Sequence, residues 1–172
     1  MDIGTHLATG LLASTLVETS VAKIACIIGS VIPDIVQLPY YVYRTFKREL
    51  NLLHHIKKDG PEPPHPVWER KIYYFAHSFI FLIILFLAAS VFKSYMLWGF
   101  FIGYTTHIFW DIPTHMGESA NRPLYPFSEM KIEGFYNWWR HGVIRKLVVV
   151  GWVILISLYF FIEDAGAFDF LL

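Results

Sequence analysis

Apolar residues fall along this chain in five long blocks: Ile3 to Val17, Ala22 to Leu38, Ile72 to Phe92, Tyr95 to Ile112 and Leu147 to Ile162. None alternates with the period of two that a half-buried strand requires, and all are too long for one, so the pattern predicts an all-α chain. The third and fifth blocks supply close to the roughly 20 apolar residues needed to cross a hydrocarbon layer of about 30 Å. The first two are shorter and carry Gly4, Gly10 and Gly29. They read as a closely packed hairpin that penetrates only part of the way.

Between the blocks the polarity changes in a directional manner. The stretch from Pro39 to Lys71 holds Arg44, Lys47, Arg48, Lys57, Lys58, Arg70 and Lys71, and the stretch after Pro113 holds Arg122, Lys131, Arg140, Arg145 and Lys146. The opposite turns offer only Lys23 and Lys93, and the tail is acidic at Glu163, Asp164 and Asp169. By the positive-inside rule the two basic loops are cytoplasmic. The expected arrangement is thus an integral membrane bundle of about five helices within one domain over residues 1–172, crossing the cell's inner membrane several times. Its amino terminus would lie inside and its carboxy terminus outside.

Composition supports lipid as the solvent and lipid as a partner. Of the 172 residues 55% are hydrophobic and 18% aromatic, more than a soluble domain of this size buries. A formal net charge of zero excludes nonspecific nucleic-acid binding, which needs a basic surplus. The single cysteine, Cys26, lies in an apolar block and reads as packing. The start at Met1-Asp2 lacks the basic residues of a cleavable signal, so the first helix is expected to stay.

On this topology the ionisable residues gather. His6 opens the first block, Asp34 closes the second, His77 stands at the start of the third, and His107 with Asp111 ends the fourth, so all five share one face. Charged groups at membrane depth cost about 3 kcal/mol each when unpaired at the helix centre, which makes their coincidence informative. His107 and Asp111, four apart, present side chains on one helix face and could form either a hydrogen-bonded couple or part of an ion site. Asp34 follows Pro33 where a helix ends, and alone would be a turn aspartate; His77 alone would be an interfacial histidine. His115, four beyond Asp111, is a sixth candidate metal ligand, although Pro113 leaves its direction open.

Together the imidazoles and carboxylates make a mixed nitrogen and oxygen set that suits zinc or a similar divalent ion. His54, His55 and His65 flank or lie within the stiff PEPPHP segment, and His141 follows the aromatic anchor Trp138-Trp139-Arg140, which places them in loops or at headgroup level.

Short blocks at these positions carry a family resemblance. THLATG at Thr5 to Gly10, GSVIPDIV at Gly29 to Val36, AHS at Ala76 to Ser78, GYTTHIFWDIPTH at Gly103 to His115 and RPLYPFS at Arg122 to Ser128 occur in that order. In this the chain resembles the membrane-bound, metal-dependent hydrolases of the YdjM type, distantly similar to bacterial zinc-dependent phospholipase C. The resemblance implies that Asp34, His77, His107 and Asp111 hold a metal and that His6 joins Asp111 on a second ion.

The expected activity is hydrolysis of a phosphoester in a phospholipid, another amphiphile or a small soluble molecule. Water on the ion would be activated, Asp34 or Asp111 would orient it, and Arg122 would grip phosphate. Two other classes fit the same residues. A metal or proton transporter would place its site at the midplane between inverted repeats, and neither is visible here. A metal-tied scaffold without catalysis would close the ligand shell to water.

Overall fold

A computed structural model describes residues 3–40, 42, 66–135 and 142–164. Its α-helices are α1 (Ile3–Ala13), α2 (Ser20–Gly29), α3 (Ile32–Ile35), α4 (Val67–Ala76), α5 (Phe79–Phe92), α6 (Tyr95–Asp111) and α7 (Gly142–Asp164). There is no strand among the described residues, only an isolated antiparallel bridge between Asn121 and Ile132. His54, His55, His65, His141, the Trp138–Arg140 anchor and most of the basic first loop lie outside the described residues.

Hydroxyl caps set several helix starts. The side chains of Thr19, Ser78 and Ser94 accept hydrogen bonds from the backbone amides of Ala22, Phe81 and Leu97, three residues into α2, α5 and α6. Each satisfies one of the donors that a helix start leaves over. Lys93, in the left-handed conformation at φ 48°, turns the chain from α5 into α6.

Two expected helices are broken. The block 22–38 divides into α2 and α3 at Ser30-Val31, and the block 72–92 divides at His77-Ser78, with the new helix α4 starting at Val67 inside the expected loop. The first bent pair, continued to Tyr40, turns by 47° and the second by 51°. Their cause is local: Pro33 enters the first turn of α3, while Ser78 takes extended backbone to cap α5. The apolar block 3–17 likewise ends its α-helix at Ala13 and finishes in a 3-10 turn, Ser14–Leu16. The block 95–112 matches α6 closely.

Among the described residues no single helix is long and apolar enough to cross a membrane, whereas the two bent pairs have the length and composition. The expected fifth crossing, 147–162, falls within α7, whose uninterrupted apolar part is Val150–Ile162.

Helix α6 is the pillar of the bundle, and small residues let α2 lie directly on it. A methyl group at Gly99 would collide with the Ala22 carbonyl oxygen, at Gly103 with that of Cys26, and at Gly29 with that of Phe100. Gly99 and Gly103 form the small-xxx-small spacing that brings helix backbones together where lipid removes the hydrophobic drive. On the other side Trp152 of α7 lies over Gly4 and donates from Nε1 to Thr5 Oγ1 at 2.6 Å, which fixes α7 to α1.

Polarity runs opposite to that of a water-soluble globule. The fully buried side chains include His6, Ser14, Ser30, His77, Ser78, His107 and Asp111, whereas Ile83, Leu87, Val91 and Phe92 of α5 and Val153, Phe160 and Phe161 of α7 point outward. An exposed apolar coat of this extent is costly in water and favourable in lipid.

Candidate metal centre

The breaks and helix ends converge on one end of the bundle. The hairpin of α1 and α2 brings His6 near Asp34, and the α5–α6 hairpin returns Asp111 to the break that holds His77. Asp111, fully buried, is the hub. Its Oδ1 lies 3.1 Å from His6 Nε2 and 3.3 Å from His115 Nδ1, and its Oδ2 lies 3.2 Å from His107 Nε2 and 3.3 Å from His77 Nε2.

Asp34 repeats the division at longer range. Its Oδ1 is 3.7 Å from His107 Nε2 and 3.9 Å from His77 Nε2, and its Oδ2 is 3.8 Å from His6 Nε2. Ligand atoms of His6, Asp34, His107 and Asp111 all lie within 4.8 Å of one another, which is the spacing of groups around a shared ion.

The far side of two rings decides what the near side can do. His107 Nδ1 lies 2.8 Å from the Ser30 carbonyl oxygen, and His77 Nδ1 lies 2.9 Å from that of Tyr73. A carbonyl only accepts, so both Nδ1 atoms carry hydrogen, and in the neutral ring each Nε2 presents a lone pair. Those two Nε2 atoms are 3.2 Å apart and both face Asp111 Oδ2. Lone pairs and carboxylate oxygens at such range repel unless a proton or a metal cation sits among them.

The helix breaks supply those carbonyls. Ser30 follows the last residue of α2, where carbonyl groups run out of helical partners, and the Tyr73 carbonyl, in the last turn of α4, accepts from the His77 backbone amide as well as from its ring. Tyr104 serves the same end differently, donating its buried hydroxyl to the Ala76 carbonyl at 2.7 Å beside the His77 break.

His6 is held by stacking, its ring parallel to that of His107 with centroids 3.6 Å apart. Neither of its nitrogens makes a hydrogen bond of good geometry among the described residues, although both are buried. An orphaned buried imidazole beside two carboxylates fits a coordinating role.

All six residues expected at a metal thus come together. His115 joins through Asp111, with its Nδ1 also 3.2 Å from the Asp111 backbone oxygen and 3.3 Å from Thr114 Oγ1. Arg122 is placed differently. It is buried against the Tyr74 ring and faces Glu118 and Glu129, not the His and Asp cluster. Two further features set where α2 and α5 meet α6, and the hydropathy blocks do not announce them: the Gly99 and Gly103 spacing and the Ser78 cap.

A helical membrane protein with a buried His and Asp cluster able to hold a metal ion is the class that this fold and site define. The chain belongs to the YdjM inner membrane protein family, whose model matches residues 1–167. No curated protein and no solved structure matches the chain.

Proposed function

We propose that the chain is a membrane-bound, metal-dependent hydrolase that cleaves a phosphoester at the cytoplasmic face. The observation that carries this reading is the convergence of three imidazole Nε2 atoms on two carboxylates, with two of the rings fixed in tautomer from behind. The donor set suits zinc or a similar ion, which His6, His77, His107 and Asp111 would hold. When bound, such an ion lowers the pKa of coordinated water and polarises the phosphoryl oxygen.

The chain's own residues divide the remaining work. Both oxygens of Asp111, fully buried, face histidine nitrogens, which suits it to coordination. Asp34 stands farther off and is 24% exposed, so it is the member placed to orient incoming water and receive its proton. His77 and His107 keep their Nε2 atoms aimed inward through their carbonyl bonds. A site at headgroup depth suits an amphiphilic substrate, with a soluble phosphoester reaching it from the cytoplasm as the other source.

The test is direct. The purified full chain is analysed for bound metal and assayed against phospholipids and soluble phosphoesters, beside Asp111→Asn and Asp34→Asn. Metal in the wild type and in Asp34→Asn, with cleavage only in the wild type, is the expected result. Bound metal with no cleavage across the panel rejects the hydrolase in favour of a scaffold, and flux of metal through proteoliposomes would establish transport.

A further inference from the structure

Between α4 and the loop that follows α6, a second polar assembly surrounds one carboxylate. Glu118, 66% exposed in its side chain, receives Lys131 Nζ at 3.2 Å on Oε1, and on Oε2 it receives Arg70 Nη1 at 3.6 Å and Arg122 Nη2 at 3.5 Å. The Tyr74 hydroxyl lies 3.2 Å from the same Oε2. Three cations and a phenol therefore converge on a single solvent-facing anion.

Arg122 and Tyr74 are built in and the anion is not. Arg122 is 7% exposed, its guanidinium carbon stacks 3.8 Å over the Tyr74 ring, and its Nη2 lies 3.1 Å from the Tyr74 oxygen. Its Nε is buried without a hydrogen-bond partner among the described residues, and its Nη1 meets the carboxylate of Glu129, itself 74% exposed. Glu118, by contrast, sits in the short 3-10 turn Gly117–Ser119 and can leave by side-chain rotation alone.

Two forks and an ammonium offer more donors than one carboxylate's two oxygens can use, whereas a tetrahedral phosphate would present three. With Glu118 turned away, the three cations exceed the carboxylates of Glu129 and Glu133, the latter bonded to the Gly117 amide, by one charge.

We propose that Arg70, Tyr74, Arg122 and Lys131 form a phosphate seat in which Glu118 stands in for the phosphate group of a ligand. As part of a substrate site the seat rests on the phosphoester reading above; its affinity for phosphate does not. Tyr73 links the two places, because its ring packs against His77 with centroids 3.9 Å apart and its hydroxyl donates to the Ser119 carbonyl in the Glu118 turn. The loop that carries Arg122 and Lys131 also exposes Leu124, Phe127, Met130 and Phe135, an apolar fringe suited to the acyl part of a lipid.

The experiment uses the full chain in detergent, titrated in one arm with inorganic phosphate and in the other with phosphatidylcholine micelles with or without phosphatidate. Glu118→Gln removes the competing anion and is expected to tighten binding about tenfold, while Lys131→Gln and Arg122→Gln weaken it by about the same factor. Lys131 is partly exposed, so its variant answers even where the loss of buried Arg122 unfolds the chain. Tightening confined to phosphatidate assigns a lipid headgroup, and tightening with inorganic phosphate a free phosphate.

Binding by Glu118→Gln no tighter than wild type in both arms overturns the seat, as does unchanged binding by Lys131→Gln. A chain that shows the expected binding pattern yet cleaves nothing keeps the seat and loses the hydrolase, so the two readings fail separately.

Discussion

His6 and His107 lie ring on ring, 3.6 Å between centroids, yet they reach opposite oxygens of Asp111. The stack holds the His6 ring while Nε2 faces the Asp111 carboxylate, so its shape and its nitrogen can be separated by substitution. His6→Phe keeps a ring against His107 and removes the donor atom. The expected outcome is a folded protein with reduced metal stoichiometry. Metal analysis of the purified variant checks this, and unchanged stoichiometry would remove His6 from the centre.

His107→Ala and Asp111→Asn strike the hub. Loss of an oriented coordinating group is expected to lower metal affinity by more than about a hundredfold, beyond what a supporting hydrogen bond contributes. Competition with a chelator of known affinity measures it.

Metal that binds only the folded chain also stabilises it. At a free concentration about a hundred times the dissociation constant the gain is roughly 2.7 kcal/mol. Chelation should therefore lower the melting temperature of the wild type and leave that of Asp111→Asn unmoved, which thermal unfolding in detergent reads out.

The contact of α2 with α6 gives a packing prediction. Gly103→Ala drives a methyl group into the Cys26 carbonyl oxygen, and backbone cannot move aside as a flexible side chain would. A cost of about 3 kcal/mol is expected. Separating α2 from α6 also draws the Ser30 carbonyl away from His107, so metal affinity should fall with stability. Gly151→Ala, where a methyl group meets nothing, serves as the control and should leave metal affinity unchanged while stability holds or rises by up to about 1 kcal/mol.

The surface carries a pH signature. Lys131, by hydrogen bond and charge, holds the Glu118 carboxyl below its ordinary range. A depressed folded-state value means stability that is present above the unfolded pKa and lost as pH falls through the folded one. Because Glu118 is mostly exposed, solvent screening keeps the contribution under about 1 kcal/mol. Glu118→Gln should thus melt slightly below wild type near neutrality and match it in strong acid, as comparison of the two unfolding curves will show.

Much of the site is legible in the amino-acid sequence. The spacing from His107 places Asp111, and the Gly29, Ser30 and Pro33 that end a helix place Asp34. The all-α character follows from block length. The interruptions are not legible, because hydropathy runs through Ala76, Phe79 and Ile80 without a pause and only the Ser78 cap marks the break. The direction of His115 stays open in the sequence for a physical reason: Pro113 ends regular helix, and the 3-10 turn Ile112–Thr114 that follows sets it. For Arg122 the chemistry of the side chain suggests phosphate, while its burial against Tyr74 depends on a loop whose path no periodicity encodes.

The residues around Asp111 come from α1, α3, the α4–α5 break, α6 and the turn beyond it, separated by about a hundred residues of chain. An ion there would cross-link segments remote in sequence, cutting the entropy of the disordered state as a covalent bridge does. With Cys26 as the sole thiol, no sulfur bridge within the chain can take over that duty. Starving a cell of the ion should accordingly show itself first as shortened lifetime of the whole polypeptide, ahead of any defect confined to chemistry.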